Sequence, residues 1–341
     1  MRLLLHAPNV NSGGGLQLLR AILAVVPSPI SWAQLDKRAD IGGLSLGKMP
    51  IRLVRNTVWS RLAAEWRLRK KCGADDIVLC FNGLPPIFAL PCKVVVFVQN
   101  RLLVEDSPLS NYPLRTRVRI TAERWLLATL RGRSSRYVVQ TPSMAAVLQN
   151  RFGLAIPVVV SPFIPEDVAP GEDLAEGDED SFDFVYVASG EAHKNHVNLL
   201  EAWRILAEYG HRPSLALTLG TGANPLLEKK IARLVRDEQI AVSNCGALTT
   251  TQVDELYHRA RALIYPSAVE SLGLPLIEAS RHGLPILASE KDYVRDIVTP
   301  VQTFDPDSPL SIARAVMRFM GVSKAPTEVG TADDFLSDVV R

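Results

Sequence analysis

Residues 262–278 read ALIYPSAVESLGLPLIE and pass from a strand through a loop into a helix. The apolar residues 262–265 predict a short buried strand, which ends at the turn that begins with Pro266. Pro275 suits the first turn of a helix, which we expect over residues 275–282. The stretch is therefore one strand–helix unit, the building block of a parallel α/β sheet.

Units of the same kind recur along the whole chain. In the first half the predicted strands are 3–7, 77–81, 94–99, 137–140 and 158–160, and the predicted helices lie near 16–25, 55–71, 115–131 and 142–151. In the second half the predicted strands are 182–188, 214–219, 262–265 and 285–288, and the helices lie near 195–209, 225–238, 251–259 and 275–282. Short apolar strands that alternate with helices are typical of parallel sheets covered on both faces. The predicted fold class is therefore α/β, with two Rossmann-like units in series.

An acidic stretch separates the two series. Residues 166–180 read EDVAPGEDLAEGDED and show no hydrophobic period, which indicates an exposed linker. We expect an N-terminal Rossmann-like domain over residues 1–165, a linker over 166–181 and a second Rossmann-like domain over 182–310. Ligands of such sheets bind outside the carboxyl ends of the strands, so two units facing each other would share a cleft.

The composition is that of an ordinary globular protein, with 47% hydrophobic and 22% charged residues among 341. No stretch reaches the roughly 18 to 20 apolar residues that cross a bilayer, and the first residues predict a buried strand and no secretory signal. The four cysteines form no CxxC pair and no zinc-type spacing with histidine, which favours reduced, buried thiols. We therefore expect a cytoplasmic protein.

The formal net charge of +2 conceals a strong asymmetry between the two halves. Residues 1–165 contain 22 basic and 8 acidic residues, whereas residues 166–341 contain 16 basic and 28 acidic residues. Basic stretches with Trp and Leu, at 51–71 and 115–136, favour contact with an anionic membrane surface, although two solvated amphipathic helices would give the same pattern. No nucleic-acid partner is expected, because no nucleic-acid-binding motif accompanies the charge.

Two carboxylates, Glu270 and Glu278, flank the predicted start of the helix after strand 262–265. Gly273 allows the backbone to approach a ligand closely, and both carboxylates can hydrogen-bond the hydroxyls of a sugar or a ribose. Taken alone, the same spacing also fits a Glu278 that only favours the helix start and a solvated Glu270.

The surrounding residues decide between these interpretations. The matching positions are Gly246, Glu255, Leu256, Tyr257, Ala260, Tyr265, Pro266, Ser267, Glu270, Ser271, Leu272, Gly273, Leu274, Pro275, Glu278, Ala279, Gly283, Leu284, Pro285, Ile286, Ala288 and Ser289. This segment resembles the retaining glycosyltransferases of family 4, of the bacterial polysaccharide and O-antigen type, which have the GT-B fold.

The resemblance implies a role for several of these residues in binding a sugar nucleotide. It implies that Glu270 contacts the transferred sugar, that Glu278 holds the ribose, and that Ala247 and Leu248 lie beside the base. Ser271, Leu272, Gly273 and Leu274 would complete this part of the donor site. It also implies that the last residues, 311–341, form helices that return toward the first domain.

A second segment, residues 188–196, reads ASGEAHKNH and follows the first strand of the second unit. A lysine at the start of a helix is well placed to offset the charge of a diphosphate, although a solvated basic helix start fits as well. The segment is similar to the Gly-…-Lys-Asn loop of the family, which implies that Gly190, Lys194 and Asn195 bind the donor, with Lys194 on the diphosphate. Many relatives hold an Arg just after the glycine, where this chain has Glu191.

The first unit contributes the glycine-rich turn Gly13-Gly14-Gly15, which the resemblance places beside the donor phosphates and the acceptor. It does not spell G-x-G-x-x-G, which argues against NAD binding. After strand 94–99 the family often has a histidine that points at the reacting sugar, and Gln99 or Asn100 takes its place here. We expect Asn100 to act with Glu270 and Lys194 as the catalytic group, mainly through positioning and electrostatics.

No metal site and no cofactor are expected. The one literal D-x-D, Asp305-Pro306-Asp307, lies in a turn-like run, and GT-B enzymes generally need no metal-bridged diphosphate. The predicted function is retaining transfer of a hexose-type sugar from a UDP- or GDP-sugar to a saccharide or lipid-linked saccharide acceptor in surface polysaccharide biosynthesis. A catalytically silent GT-B partner that binds sugar nucleotide or glycan, and an NAD-dependent Rossmann oxidoreductase, remain as alternatives. Peripheral association with the inner face of the cytoplasmic membrane is expected through the basic N-terminal domain.

Overall fold

The computed structural model describes residues 1–25, 28–44, 46–47, 49–105, 109–110, 112–153, 156–164, 181–222 and 224–322. These residues form two parallel β-sheets that follow one another along the chain, one of seven strands and one of six. Each sheet is covered by helices, so the predicted α/β class with two Rossmann-like domains is confirmed.

The N-terminal domain contains the seven-stranded sheet. Its strands are β1 Leu3–Ala7, β2 Ile30–Asp36, β3 Ile51–Val54, β4 Ile77–Cys80, β5 Lys93–Phe97, β6 Arg136–Val139 and β7 Val158–Val160, in the spatial order β3-β2-β1-β4-β5-β6-β7. Its helices are α1 Gly13–Ala24, α2 Val58–Lys71, α3 Leu114–Leu130 and α4 Pro142–Phe152. Leu68 of α2, Leu127 of α3 and Leu148 of α4 share one core cluster, while Leu19 and Leu23 of α1 belong to another.

The C-terminal domain contains the six-stranded sheet. Its strands are β8 Phe184–Tyr186, β9 Leu215–Leu217, β10 Val242–Asn244, β11 Leu263–Tyr265, β12 Ile286–Ser289 and β13 Gln302–Phe304, in the order β10-β9-β8-β11-β12-β13. Its helices are α5 His196–Glu208, α6 Pro225–Asp237, α7 Thr250–His258, α8 Leu274–Arg281, α9 Asp292–Arg295 and α10 Pro309–Phe319. Strands β8, β9, β11 and β12 are buried throughout, whereas the edge strands β10 and β13 are partly exposed. Burial on both faces explains why the four inner strands are mostly apolar.

The strand orders fix where a ligand can bind. In the first sheet the chain runs outward from β1 to β3 and then resumes on the other side of β1 with β4; in the second it runs from β8 to β10 and resumes with β11. Such reversals open a crevice at the carboxyl ends of the two strands concerned. The loops after β1 and β4, and those after β8 and β11, therefore border the predicted cleft.

The two domains touch near these loops. Thr141, at the N-terminus of α4, donates a hydrogen bond of 3.3 Å from its hydroxyl to the carbonyl of Ser271. The amide of Ser143 donates to Asp296 at 3.0 Å. A Cβ atom on Gly14 would lie 3.5 Å from Leu274 Cδ1 of the opposite domain. The segments that carry the sequence motifs therefore face each other.

Several predicted boundaries differ from the structure. Helix α1 begins at Gly13, and not near residue 16, because the three glycines form its first turn after Ser12. Strands β2, β3, β10 and β13 were not predicted at all. Helix α10 packs on α5 within the C-terminal domain, and the predicted return toward the first domain falls largely on residues 323–341, which lie outside the described residues. Residues 166–180, which are most of the predicted linker, also lie outside them.

The structure tests two expectations drawn from the composition, buried reduced thiols and the absence of a membrane-spanning helix. All four cysteines are free, but only Cys72 and Cys80 are buried, so the prediction of buried thiols is wrong for the exposed Cys245. Among the residues described, no helix is both long enough and apolar enough to cross a bilayer.

Candidate active site

The loop after β8 is shaped by close contact with the start of α6. A Cβ atom on Gly190 would lie 3.0 Å from the Cβ of Asn224, so a side chain at this position would force the two loops apart. Asn224 donates to the carbonyl of Gly190 at 2.9 Å and also caps α6 by accepting from the amide of Leu227. The glycine is thus required for packing, which holds the loop at the edge of the cleft.

Asn195 fixes the turn that precedes α5. Its backbone is left-handed, with φ of 60°, a conformation that asparagine tolerates better than most residues. Its side-chain amide donates to the backbone carbonyls of Pro266 at 3.1 Å and of Pro306 at 2.6 Å. The side chain of this predicted donor ligand is therefore used to join three loops, and it positions its neighbour Lys194.

Lys194 and Glu270 form the central ion pair of the site. Lys194 Nζ lies 2.6 Å from Glu270 Oε1, and the two side chains are only 17% and 11% exposed. The same oxygen accepts from the hydroxyls of Ser267 at 2.6 Å and of Tyr265 at 3.0 Å. Burial by itself would raise the pKa of Glu270, but the charge of Lys194 and the hydrogen bonds to the carboxylate outweigh it, so this pKa lies below its usual value. Glu270 is therefore ionised at neutral pH.

Helix α8 presents the second carboxylate. Gly273 precedes the helix with φ of +78°, a left-handed conformation that glycine adopts without strain. Glu278 lies in the second turn and accepts a hydrogen bond of 3.0 Å from the hydroxyl of the buried Tyr257. Burial raises the pKa of Glu278, and the Tyr257 hydrogen bond opposes that shift. Ser271 and Leu274 border the cleft, as the domain contacts show, whereas Leu272 is buried beneath them.

The loop after β10 occupies the neighbouring strand end. Gly246 has φ of +79°, and a Cβ atom on Gly220, after β9, would lie 3.5 Å from the Cβ of Ala247. Ala247 is exposed, while Leu248 packs partly on the core. Both residues therefore lie at the same edge of the sheet as Lys194, and their place beside the base stays a prediction.

The N-terminal domain contributes the glycine turn and the residues after β5. Gln99 donates to the carbonyl of Phe81 at 2.8 Å, and its Oε1 would lie 3.2 Å from a Cβ on Gly15. That oxygen is buried and has no hydrogen-bond partner among the described residues. The side-chain oxygen of Asn100, in contrast, accepts from the amide of Leu102 and caps a short 3-10 turn. Gln99, and not Asn100, thus faces the glycine turn.

A contact between the domains was missed from the sequence. Tyr112 stacks on His193 with ring centroids 6.2 Å apart and an angle of 24° between the rings. Burial lowers the pKa of His193, although Glu270 opposes the shift, so the imidazole is neutral at neutral pH. His193 was visible in the sequence as a neighbour of Lys194, but nothing local predicts that a residue from the other domain covers it.

The D-x-D stretch has a structural role in the described chain. The amide of Asp307 donates to Asp305 Oδ1 at 2.9 Å, and the amide of Asp305 donates to Ser311 in the first turn of α10. Both contacts are exposed, and they shape the turn before α10.

The C-terminal half of the chain matches a protein-family model. Residues 175–332 match the family described as glycosyl transferases group 1, and this segment includes both Lys194 and the Glu270–Glu278 stretch. This segment of the chain is therefore similar to the group 1 glycosyltransferases.

Two mannosyltransferases from Escherichia coli are similar in sequence to part of this chain. The serotype-specific mannosyltransferase WbdA is 30% identical over 153 residues, which are 41% of this chain and 17% of WbdA. The O-antigen chain mannosyltransferase B is 30% identical over 116 residues, which are 33% of this chain and 30% of the relative. The similarity therefore spans less than a third of the length of each of these relatives.

Solved structures resemble both domains together. HepE from Anabaena, in complex with UDP and glucose, superposes with a TM-score of 0.69 at 14% identity, over 94% of this chain and 90% of HepE. The lipopolysaccharide outer core galactosyltransferase WaaB gives a TM-score of 0.61 at 15% identity, over 95% of this chain and 92% of WaaB. The fold is therefore GT-B, as the resemblance implied.

In the C-terminal domain, the ion pair of Lys194 and Glu270 lies in the loops that precede α5 and α8, and Glu278 lies in the second turn of α8. The positions of Lys194 and Glu270 allow a single ligand to touch both an ammonium and a carboxylate. Glu191, which stands where many relatives have an Arg, is exposed and hydrogen-bonds the hydroxyl of Ser189. Lys194 is thus the cation that the described loop offers to an anionic ligand at this edge.

Proposed function

We propose that this protein transfers a hexose-type sugar, with retention of configuration, from a UDP- or GDP-sugar to a saccharide or lipid-linked saccharide acceptor in surface polysaccharide biosynthesis. The observation that carries the proposal is the buried pair of Lys194 and Glu270 at the carboxyl ends of β8 and β11. The names of the two curated relatives favour a mannosyl donor as the first to be tested.

Each group of the site has a defined task in this proposal. Lys194 moves from Glu270 onto the diphosphate and stabilises the negative charge that develops as the bond between the sugar and the phosphate breaks. Glu270, which loses that partner, accepts hydrogen bonds from the sugar hydroxyls. Glu278 accepts from the ribose, and Tyr257 holds it in place at 3.0 Å.

Retention requires the acceptor hydroxyl to attack from the face that the diphosphate leaves. The new bond joins the sugar C1 to the acceptor oxygen, the bond from C1 to the phosphate oxygen breaks, and the acceptor proton passes to the departing diphosphate. The Gly13–Gly15 turn lies on the side of the cleft from which the acceptor would approach, and Gln99, whose buried Oε1 has no hydrogen-bond partner among the described residues, supports that turn from below. No resident cofactor or metal takes part in this proposed reaction.

Release of nucleotide from UDP- and GDP-hexoses, with and without saccharide acceptor, tests the proposal. We expect turnover in EDTA, and a loss of about 100-fold or more in Lys194→Met, because a preorganised charge at the leaving group is worth that much. Lys229→Met is the matched control, since this lysine lies exposed on α6 of the same domain. If the protein binds a nucleotide but releases none from any donor, the proposed enzyme activity is wrong and the catalytically silent GT-B partner is favoured. Binding of NAD would favour the oxidoreductase. A product with the inverted anomeric configuration would contradict retention.

We also propose that the N-terminal domain binds an anionic membrane surface from the cytoplasmic side. One face of α3 carries an exposed apolar stripe among its arginines: Leu114, Val118 and Trp125 are 72%, 62% and 65% exposed. The groove on this face is completed by Arg117, Thr121 and Ala122. On α2, Trp59 is 81% exposed. Exposed tryptophans on basic helices are the pattern of a helix that lies in the membrane interface.

Vesicle sedimentation tests the membrane surface separately. Burying about half of one indole ring, roughly 100 Å², stabilises binding by about 2.5 kcal/mol at ~25 cal/mol per Å², so Trp125→Ala should weaken binding about 70-fold. Val301→Ala, an exposed apolar residue of the other domain, serves as the control. We expect binding to phosphatidylglycerol-containing vesicles that falls as salt rises. Equal binding to phosphatidylcholine vesicles, or an unchanged Trp125→Ala variant, would contradict the proposal.

A further inference from the structure

Three potential metal ligands meet behind α8, away from the ion pair of Lys194 and Glu270. Asp254, His258 and His282 each offer one ligand atom, and these atoms all lie within 4.8 Å of one another. Asp254 and His258 stand four residues apart on α7, which places them on the same helix face. His282 is the residue that ends α8.

His282 is the least satisfied member of this cluster. Its side chain is 2% exposed, and its Nε2 lies 2.8 Å from Asp254 Oδ1. Neither ring nitrogen nevertheless has a hydrogen bond of acceptable geometry with any described residue. The ring instead packs against Tyr257 at 5.3 Å and edge-on against His258 at 4.7 Å between centroids. A buried nitrogen without a partner is costly, so such an atom points to a ligand.

We propose that Asp254, His258 and His282 bind one divalent transition-metal ion, with zinc as the physiological candidate. Two imidazole nitrogens and one carboxylate oxygen form a common three-residue zinc ligand set, and water takes the fourth position. Imidazole disfavours the hard cations Mg²⁺ and Ca²⁺, which select oxygen ligands. Asp254 is 38% exposed, so the ion has a path from solvent.

The ion would brace Glu278, the carboxylate that we propose binds the ribose. His282 follows Glu278 by one helical turn, and its amide donates to the Glu278 carbonyl at 3.2 Å. Tyr257, the neighbour of His258, holds the Glu278 side chain. A metal that joins the end of α7 to the end of α8 therefore fixes the Tyr257–Glu278 contact from behind. Its place beyond the C-terminus of α8 gives it a structural role, separate from the transfer reaction.

Metal binding to the tag-free, EDTA-treated protein tests this proposal without any sugar substrate. We expect one equivalent of Zn²⁺ by calorimetry, and one equivalent of Co²⁺ with the intense visible absorption of a four- or five-coordinate site. Asp254→Asn and His258→Gln should each weaken Zn²⁺ binding at least about tenfold, since loss of even a supporting group near a metal costs that much. His211→Gln, a histidine of the same domain outside the cluster, should bind Zn²⁺ like the wild type.

Thermal unfolding separates metal loss from misfolding. Both substituted side chains are partly exposed, so the metal-free variants should unfold within a few degrees of the metal-free wild type, and only the wild type and His211→Gln should gain stability from Zn²⁺. If a variant fails to fold, the Co²⁺ spectrum of the wild type still decides. No stoichiometric binding to the wild type, a pale octahedral Co²⁺ spectrum, or unchanged affinity in folded Asp254→Asn and His258→Gln would overturn the proposal.

Discussion

Replacing Lys194 should weaken nucleotide binding, whereas replacing its partner Glu270 should not. Lys194→Met leaves the carboxylate of Glu270 buried beside Tyr265 and Ser267, without its cation. Breaking a fully buried pair costs about 3–5 kcal/mol; because these side chains are 17% and 11% exposed, we expect about 2–3 kcal/mol of lost stability. Glu270→Gln should cost less, since the long lysine side chain can turn its ammonium toward water.

Binding of UDP or GDP then distinguishes the two variants. A hydrogen bond from an ammonium to a phosphate is worth about 1.5–3 kcal/mol, so Lys194→Met should weaken binding by roughly 10- to 150-fold. Glu270→Gln should bind the nucleotide at least as tightly as the wild type, because its Lys194 no longer has to leave a carboxylate before it meets the diphosphate. The structure thus predicts a loss in one variant and none in its partner.

Calorimetric titration of the nucleotide and urea unfolding, on both single variants and the double variant, measure these effects. The double-mutant cycle should show a stability coupling of about 1–3 kcal/mol between two side chains in contact. Lys229→Met controls for loss of one positive charge. The reasoning fails if Glu270→Gln loses as much nucleotide affinity as Lys194→Met, or if the coupling in stability is zero.

Three further outcomes follow from backbone geometry and burial. Gly273→Ala should lose about 1–2 kcal/mol in urea unfolding, because φ of +78° strains any side chain and a Cβ would lie 3.0 Å from Leu276; a loss below ~0.5 kcal/mol would contradict this. Asn195→Ala should be about 1 kcal/mol less stable than Asn195→Gly, since both lose the side-chain hydrogen bonds but only alanine is strained at φ of 60°; equal stabilities would refute it. Burial lowers the pKa of His196 to about 3, so its contribution is complete above the unfolded pKa of about 6.5 and is lost as pH falls, at about 1.4 kcal/mol per unit. His196→Gln should therefore lose about 2 kcal/mol less than the wild type between pH 6.5 and 5; parallel losses would argue against a buried neutral imidazole.

The second domain was largely predictable because its strands leave little doubt. Strands such as Leu263–Tyr265 are buried on both faces and read as unbroken apolar runs. Strand β2, Ile30–Asp36, was missed because it carries polar residues that are nevertheless buried. Gln34 is 3.1 Å from His6 Nδ1, and Asp36 is paired with Arg38. Only the folded structure shows these partners, so a local pattern could not reveal the strand.

The site shows the same division between local and long-range information. Lys194, Glu270 and Glu278 lie in contiguous motifs, and the structure places all three at strand ends that share one edge. The stacking of Tyr112 on His193 depends on how the two domains meet, which no local pattern specifies. The catalytic role of Asn100 stays a prediction. In the structure, its side-chain oxygen accepts a hydrogen bond from the amide of Leu102.

The most direct test of the proposed donor site is thermal unfolding of the wild type, Glu278→Ala and the control Glu255→Ala with UDP, GDP and NAD in EDTA. Glu255 is an exposed glutamate on α7 of the same domain. A nucleotide at about 100 times its dissociation constant stabilises the folded state by about 2.7 kcal/mol, which gives a clear rise in the midpoint. The account predicts that UDP or GDP raises the midpoint of the wild type and of Glu255→Ala, and that this rise is lost or strongly reduced in Glu278→Ala. A shift with NAD alone, no shift with either diphosphate, or an undiminished shift in Glu278→Ala would contradict it.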